Sequence, residues 1–188
     1  MKKKVAVLAL QGDFAEHESA LRACGAETFQ IRQKADLKNG FDALVIPGGE
    51  STVIGKLLRD LDLFDPLKKR ILDGLPVLAT CAGLILLAKK IENDSTEHFG
   101  TLNVSVRRNA YGRQLGSFYT EGSFDGMEQV PMSFIRAPSI ESVGSGVEIL
   151  AGFKGKAVAV REKNQVAMAF HPELISDYRV YQWFLSRV

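Results

Sequence analysis

Residues 5–10 of the chain read VAVLAL, an unbroken run of aliphatic side chains. A strand with one solvent-exposed face alternates apolar and polar residues, so an unbroken run predicts a strand buried on both faces. Residues 43–46 (ALVI) and 76–80 (PVLAT) have the same character, and residues 28–31 read as a shorter strand. Such strands are typical of a parallel sheet that carries helices on both sides.

Helical segments separate these strands. Phe14, His17, Leu21 and Cys24 recur at helical spacing, and Gly25 ends that segment. The predicted helices cover residues 14–24, 51–60, 66–73 and 82–90. This alternation of strand and helix predicts an α/β fold with three layers, in which helices flank an open, mostly parallel, doubly wound sheet.

The second half of the chain has a different pattern. Short strand-like runs alternate with clusters of Gly, Asn, Ser and Glu, which favours extra antiparallel strands that extend the sheet. These runs cover residues 102–108, 116–121, 132–137, 147–153, 157–161 and 166–170. Residues 178–188 place their apolar side chains on one face of a helix. The sequence has no internal repeat or linker, so residues 1–188 are expected to form one domain.

The composition excludes several classes of protein. With 46% hydrophobic residues, 24% charged residues and a net charge of +2, the chain of 188 residues gives no indication of a nucleic-acid or membrane partner. Its two cysteines and three histidines predict neither a disulfide framework nor a metal site, and no cofactor is expected. The first apolar run is too short for a secretory signal or a membrane span, so a cytoplasmic location is expected.

Polar or reactive residues follow four of the predicted strands. They are Gln11 with its neighbour Gly12, residues 48–51 (GGES), Cys81 and His171. In open α/β sheets, ligands bind at the carboxyl ends of the strands. We therefore expect these four segments to converge on one rim of the sheet.

Cys81 lies in the segment 79–83 (ATCAG), between an apolar strand and an apolar helix. Small neighbours allow the sharp strand-to-helix turn that presents a nucleophile, here with cysteine in place of serine. The start of the helix would favour the thiolate, and the N–H of Ala82 would point at a developing oxyanion. The alternative is a buried structural cysteine.

His171 and Glu173 supply the other groups that such a site requires. A thiol nucleophile needs a base that moves the proton, and the base needs a carboxylate that fixes its orientation. Pro172 stiffens the link, so that Glu173 can reach back to the ring. A structural histidine in a turn is the alternative. A zinc deaminase would need a later pair of cysteines, and none follows Cys81.

The segment 47–51 (PGGES) offers a second oxyanion donor, the N–H of Gly49, because glycines let the backbone approach a ligand closely. A plain strand-to-helix turn is the alternative. A phosphate-binding loop fits poorly. The spacing to Gly55 is one residue too long, and Leu57 stands where Ser or Thr is required.

Together these segments resemble the glutaminase subunit family of the pyridoxal 5′-phosphate synthase complex, a class I (triad-type) glutamine amidotransferase family. The matching segments are 10–12 (LQG), 47–52 (PGGEST), 80–84 (TCAGL), 108–114 (RNAYGRQ), 134–138 (FIRAP) and 170–174 (FHPEL). The resemblance covers essentially the whole chain and implies a flavodoxin-like fold. Residues 108–114 and 134–138 separate this family from amidotransferases of histidine, anthranilate or guanylate synthesis.

The resemblance implies roles for individual residues. Cys81 would be the nucleophile, completed by His171 and Glu173, and Gly49 and Ala82 would form the oxyanion hole. The glutamine substrate would be held by Gly49, Glu50, Ser51, Arg108, Ile135 and Arg136. Gln11 would lie beside the oxyanion region, where the partner subunit organises the site. Ala110 departs from the residue usual in the family, and residues 92–98 look like a variable loop.

The implied reaction is the hydrolysis of L-glutamine to L-glutamate and ammonia through a glutamyl thioester. The ammonia would pass to a separate (β/α)8-barrel synthase that makes pyridoxal 5′-phosphate. Three alternatives stay open at this point: an amidotransferase subunit of another pathway, a cysteine peptidase or related reactive-cysteine stress protein, and a non-catalytic subunit that only regulates the synthase.

Overall fold

The computed structural model describes residues 2–109 and 117–188. The strands are β1 (Lys4–Leu8), β2 (Glu27–Ile31), β3 (Ala43–Ile46), β4 (Val77–Thr80), β5 (Ala88–Ile91), β6 (Leu102–Arg107), β7 (Ser117–Phe124), β8 (Met127–Ile135), β9 (Ser139–Val143), β10 (Glu148–Phe153), β11 (Lys156–Glu162) and β12 (Gln165–Met168). The α-helices are α1 (Phe14–Ala23), α2 (Ser51–Asp60), α3 (Phe64–Leu72), α4 (Ala82–Leu87) and α5 (Arg179–Leu185), and 3₁₀ turns cover Lys34–Lys38 and Pro172–Leu174. In these described ranges no helix has the length and hydropathy needed to cross a bilayer.

The main sheet has seven strands in the order β10-β11-β12-β4-β3-β1-β2. The strands from β12 to β2 are parallel, and β11 and β10 continue the sheet in antiparallel fashion. Every side chain of β3, β4 and β12 is buried, as expected for strands covered on both faces. The α/β fold with an open, mostly parallel sheet is confirmed, and the order β2-β1-β3-β4-β12 is flavodoxin-like.

The helices bury one face each. In α2 the buried residues Ile54, Gly55 and Leu58 recur at the spacing of one helical face. The helix α1 packs on β1 and β2, whereas α4 packs on β4, β12 and α2. Burying a large aliphatic side chain in such contacts contributes about 1.5–3 kcal/mol.

The predicted helix over residues 82–90 is wrong in its last part, because α4 ends at Leu87. Residues 88–91 form β5 instead, with Ala88 and Ile91 buried and the two lysines between them exposed. The strand pairs with β6, which follows it in the chain. An apolar run does not by itself distinguish helix from strand. Here the pairing with β6 makes residues 88–91 a strand.

The second half forms more than one sheet. Among the described strands of this half, β10, β11 and β12 join the main sheet, whereas β5-β6-β9 form a three-stranded sheet and β7-β8 a hairpin. The sequence did not predict β9. The predicted strand over 132–137 is the end of the longer β8. The predicted strand over 116–121 begins on a residue outside the described ranges, and β7 runs on to Phe124.

The carboxyl ends of four parallel strands meet at one edge of the main sheet. Residues 11–13 follow β1, residues 48–50 follow β3, Cys81 follows β4, and His171 follows β12. The chain crosses to opposite sides of β1 to form β2 and β3, so β1 and β3 flank a topological switch point. Such a point leaves a crevice at the carboxyl edge of a sheet.

Gly83 is required where α4 leaves this edge. A Cβ atom at Gly83 would lie 2.3 Å from the carbonyl oxygen of Ile46 and 3.1 Å from the Cβ of Ala79. We expect Gly83→Ala to lower the free energy of unfolding by about 2 kcal/mol, because backbone of β3 cannot move aside and the clash exceeds any gain in helix propensity.

The matched control is Gly40→Ala, since a Cβ at Gly40 meets no atom within 4 Å. Urea unfolding followed by circular dichroism compares the two variants. Equal unfolding midpoints would show that the contact between α4 and β3 is looser than the structure indicates.

Candidate active site

Cys81 occupies a strained turn between β4 and α4. Its backbone has φ 48° and ψ −101°, a conformation that non-glycine residues rarely adopt. The N–H of Cys81 donates to the carbonyl oxygen of Met168 at 2.8 Å, which ties the turn to β12. The side chain is 8% exposed and faces a cavity, so the turn presents the sulfur at the sheet edge.

His171 and Glu173 are joined directly. Nδ1 of His171 lies 2.6 Å from Oε1 of Glu173, and both side chains are buried. Pro172 begins the 3₁₀ turn that brings Glu173 back toward the ring. The ring also lies against Gly48, where a Cβ would be 2.5 Å from Cε1 of His171. The loop after β3 therefore has no room for a side chain at this position.

The electrostatic environment favours a charged His171. Burial lowers the pKa of His171, but hydrogen bonds and negative charge from Cys81 and Glu173 outweigh it and raise that pKa to about 10. Burial raises the pKa of Glu173, but the neighbouring His17 and His171 outweigh it and leave that pKa below its usual value. At neutral pH the pair is an imidazolium and a carboxylate.

A cavity of about 310 Å³ opens at this edge. The predicted site residues that line it are Gln11, Gly49, Glu50, Cys81, Ile135, Arg136 and His171. Glu173 and Ala82 are buried and do not line the cavity. Seven residues from five distant segments of the sequence thus meet at one site.

Two predicted substrate residues lie outside the cavity lining. Ser51 is buried at the start of α2. Nη1 of Arg108 donates to Oγ1 of Thr52 at 3.0 Å, and Nη2 lies 3.2 Å from Oδ2 of Asp94. Arg108 is therefore directed toward α2 and Asp94. Within its segment Asn109 is described, whereas residues 110–114 lie outside the described residues.

Sequence reasoning did not assign a role to Gly12, Asp13, Asn109 or Leu174, which also line the cavity. Gly12 has φ 98°, and a Cβ there would lie 1.7 Å from the carbonyl oxygen of Gly48. At this point the loops after β1 and β3 therefore meet backbone to backbone. Gly12 and Asp13 could have been identified as site residues from the sequence, because they directly follow Gln11.

Asp13 adds a second carboxylate beside the histidine. Its Oδ2 lies 3.5 Å from Nδ1 of His171, and burial together with the charge of Glu173 raises its pKa. Ligand atoms of Asp13, His171 and Glu173 lie within 4.8 Å of one another. Nδ1 of His171 and Oε1 of Glu173 are 2.6 Å apart, closer than about 3.3 Å, the separation of two ligands on a tetrahedral ion, so their contact is that of a hydrogen bond.

Gln11, Glu50 and Arg136 shape the mouth of the cavity. Oε1 of Gln11 accepts a hydrogen bond from the backbone N–H of Glu50 at 2.6 Å. Nη2 of Arg136 lies 3.1 Å from Oε1 of Glu50, and both side chains are largely exposed. The mouth thus presents one cation and one carboxylate, the charges that an amino-acid zwitterion requires of its site.

Comparisons with known proteins agree with one another. The sequence model of the SNO glutamine amidotransferase family matches residues 7–188. A protein of Desulfitobacterium hafniense (strain Y51), named pyridoxal 5′-phosphate synthase subunit PdxT, is 58% identical over 98% of this chain and 93% of its own length. A protein of the same name from Streptococcus pneumoniae (strain ATCC 700669 / Spain 23F-1) is 51% identical over 97% and 96%. A solved structure described as a glutamine amidotransferase is 44% identical, with a TM-score of 0.92 over 98% and 99% of the two chains.

The charge state of His171 can be tested directly. We expect Cys81→Ala to lower the pKa of His171 by about one unit or more, because one of the two groups that raise it is removed. Titration of ¹³C-labelled histidine by NMR measures this, with His171→Asn to assign the resonance. The matched control is His98, whose pKa burial and the neighbouring Arg108 hold at about 4 and which should not respond. An unchanged His171 titration would mean that Cys81 does not interact with the ring.

Proposed function

Because the chain belongs to the SNO glutamine amidotransferase family, we propose that it hydrolyses L-glutamine to L-glutamate and ammonia and delivers the ammonia to a separate synthase subunit that makes pyridoxal 5′-phosphate. One observation supports this function more strongly than the alternative functions. His171 is hydrogen-bonded to Glu173 and lines, together with Cys81, the wall of a cavity large enough for a small substrate.

The first half of the proposed reaction cleaves the amide. The sulfur of Cys81, paired with the imidazolium of His171, attacks the side-chain amide carbon of glutamine, and the carbonyl electrons move to oxygen. When the tetrahedral species collapses, the C–N bond breaks and His171 gives its proton to the departing nitrogen. Ammonia leaves, and a glutamyl thioester remains on Cys81.

The second half regenerates the enzyme. The neutral His171 takes a proton from water, and the resulting hydroxide attacks the thioester carbon. The C–S bond then breaks, glutamate leaves, and the sulfur is again paired with the imidazolium. Glu173 keeps the ring oriented and stabilises its charge in both halves, which is the role of the carboxylate in a triad.

The oxyanion is proposed to bind backbone N–H groups of Gly49 and Ala82. Ala82 is the first residue of α4, and the first N–H groups of a helix have no partner within it. Gly49 lies at the cavity wall with φ 145°, a conformation suited to glycine. Fixed donors at the point where charge develops contribute about 2.7–4 kcal/mol each to catalysis in comparable enzymes.

Charged residues at the mouth suit the amino-acid end of glutamine. Arg136 is proposed to bind the α-carboxylate and Glu50 the ammonium, with Gly49 and Ile135 forming the cavity wall. Ser51 and Arg108 complete the proposed substrate set. Arg108 bonds Thr52, the residue after Ser51, so it supports the same segment from outside the cavity.

The partner is proposed to be a (β/α)8-barrel synthase, and residues 1–188 are proposed to act as one glutaminase domain. A glutaminase without its acceptor would waste glutamine, so coupling activity to the partner is an advantage. Gln11 lines the cavity and holds the N–H of Glu50, which places it where a docked partner could alter the oxyanion region. The cytoplasmic location expected from the sequence stays a prediction.

Glutamate formation by the purified chain, with and without the synthase, tests the function. We expect the partner to raise the rate, Cys81→Ala to abolish it, and His171→Asn to lower it by about 10²–10⁴-fold. Glu173→Gln should cost less than His171→Asn, because Glu173 orients and does not transfer the proton. Turnover that survives Cys81→Ala would exclude the thioester route. If the synthase does not change the rate, the chain would be a glutaminase that serves another pathway.

The coupling role of Gln11 has its own test. We expect Gln11→Ala to lower the partner-stimulated kcat by about 10-fold, because the N–H of Glu50 loses its fixed acceptor and the oxyanion region loses its order. Gln182→Ala, at an exposed position on α5, is the matched control. If the synthase stimulates the Gln11→Ala variant as strongly as the wild type, Gln11 does not couple partner binding to glutaminase activity.

A further inference from the structure

His17 is a buried histidine that the proposed reaction does not use. It lies on α1 with no exposed surface. Its Nδ1 is 2.8 Å from the hydroxyl of Tyr181, and its Nε2 is 3.1 Å from Oγ1 of Thr80. The same Nε2 is 3.6 Å from Oε1 of Glu173. His17 therefore bridges the residue before Cys81 and the carboxylate that holds His171.

The proton positions in this bridge follow from burial. Burial lowers the pKa of His17, so the ring is neutral and carries one N–H. Burial raises the pKa of Tyr181 well above its usual value, so its hydroxyl keeps its proton. Nε2 faces a carboxylate and must carry the hydrogen, which leaves Nδ1 to accept from Tyr181.

Glu173 needs such a neighbour. Its Oε1 is bound to His171, whereas its Oε2 is buried and has no hydrogen-bond partner among the described residues. One hydrogen bond does not fix the rotation of a carboxylate about its side chain. The ring of His17, itself fixed by Tyr181 and Thr80, closes the space behind Oε1, with Nε2 3.6 Å from that oxygen.

We propose that His17 is a positioning residue of the triad, which holds Glu173 and the Thr80–Cys81 turn at the separation that aligns His171 between carboxylate and sulfur. This inference rests on the proposed function. His17 touches no reacting atom, and it acts on kcat through Glu173 and His171. The hydroxyl of Tyr181 fixes the ring in the required tautomer, so Tyr181 supports the same alignment from α5.

Charged and titratable groups from three elements surround His17. They are Asp13 and Glu16 at the start of α1, His171 and Glu173 on the segment after β12, and Tyr181 on α5. His17 favours the charged form of Glu173, and Glu173 raises the pKa of His171. Without His17 the carboxylate of Glu173 can rotate away from the ring, and the pKa of His171 should then fall because it loses that hydrogen bond.

The test compares His17→Phe, His17→Gln and Thr101→Val in the presence of the synthase. Phe keeps a planar ring and loses both nitrogens, whereas Gln keeps a side-chain N–H. Thr101→Val removes the buried hydrogen bond to Gln165, 2.5 Å long, outside the cavity lining, and controls for a general loss of buried polar contacts. Measurements are kcat and KM for glutamine, and NMR titration of His171 without substrate.

We expect His17→Phe to lower kcat by about 10–100-fold with KM within about twofold, and to lower the pKa of His171. His17→Gln should keep kcat and the pKa of His171 closer to their wild-type values, and Thr101→Val should change neither kcat nor that pKa. Wild-type kcat and a wild-type His171 titration in His17→Phe would overturn the inference. An equal loss of kcat in Thr101→Val would do the same.

Two further measurements keep the test decisive. If His17→Phe does not fold, Tyr181→Phe takes its place, since it removes one hydroxyl. A kcat about 2–10-fold lower with a lower His171 pKa supports the inference, and wild-type values overturn it. If wild-type protein shows no Cys81-dependent glutamine hydrolysis, the proposed function fails, whereas the NMR titration still tests the hold of His17 on the triad.

Discussion

The site depends on the close approach of three loops at the carboxyl edge of the sheet. The loop after β1 meets the loop after β3 where Gly12 faces the carbonyl oxygen of Gly48, and the ring of His171 lies against Gly48 from the other side. None of these contacts leaves space for a side chain. Because close-packed backbone does not yield easily, these glycines fix the positions of Gln11, Gly49 and His171 relative to one another.

The same edge holds charges that would be costly if they stood alone. Burying an unpaired imidazolium or carboxylate carries a large desolvation penalty, so buried charges occur in proteins as pairs. Here Glu173, His171 and Cys81 follow one another, and the carboxylate and the imidazolium stabilise each other. The strained backbone of Cys81 holds the sulfur at the end of this row, and the hydrogen bond from its N–H to Met168 holds the strain in place.

Prediction from sequence succeeded where local pattern decides the structure. Unbroken apolar runs such as residues 5–10 identified the buried strands, and Gly25 marked a helix end. It failed at residues 88–91, where pairing with β6 overrides an apolar helical pattern, and at β9, whose sequence SIESV is neither an apolar run nor a regular alternation. For the site, the segments around Cys81 and His171 were recognisable. Asp13 was marked only by its position just after Gln11 and Gly12, and nothing local distinguishes His17 from an ordinary residue of a helix.

The sequence by itself determined the fold class, the strand-to-helix turn at Cys81, the spacing of His171 and Glu173, and the family. These follow from periodicity, from small residues at a sharp turn and from motifs within a few residues of each other. Only the tertiary structure decided that Arg108 turns toward Thr52 and Asp94, that Arg136 meets Glu50 at the cavity mouth, and that His17 lies behind Glu173. Each of those facts joins residues at least 14 positions apart, where the path of the chain through space and not the local pattern sets the distance.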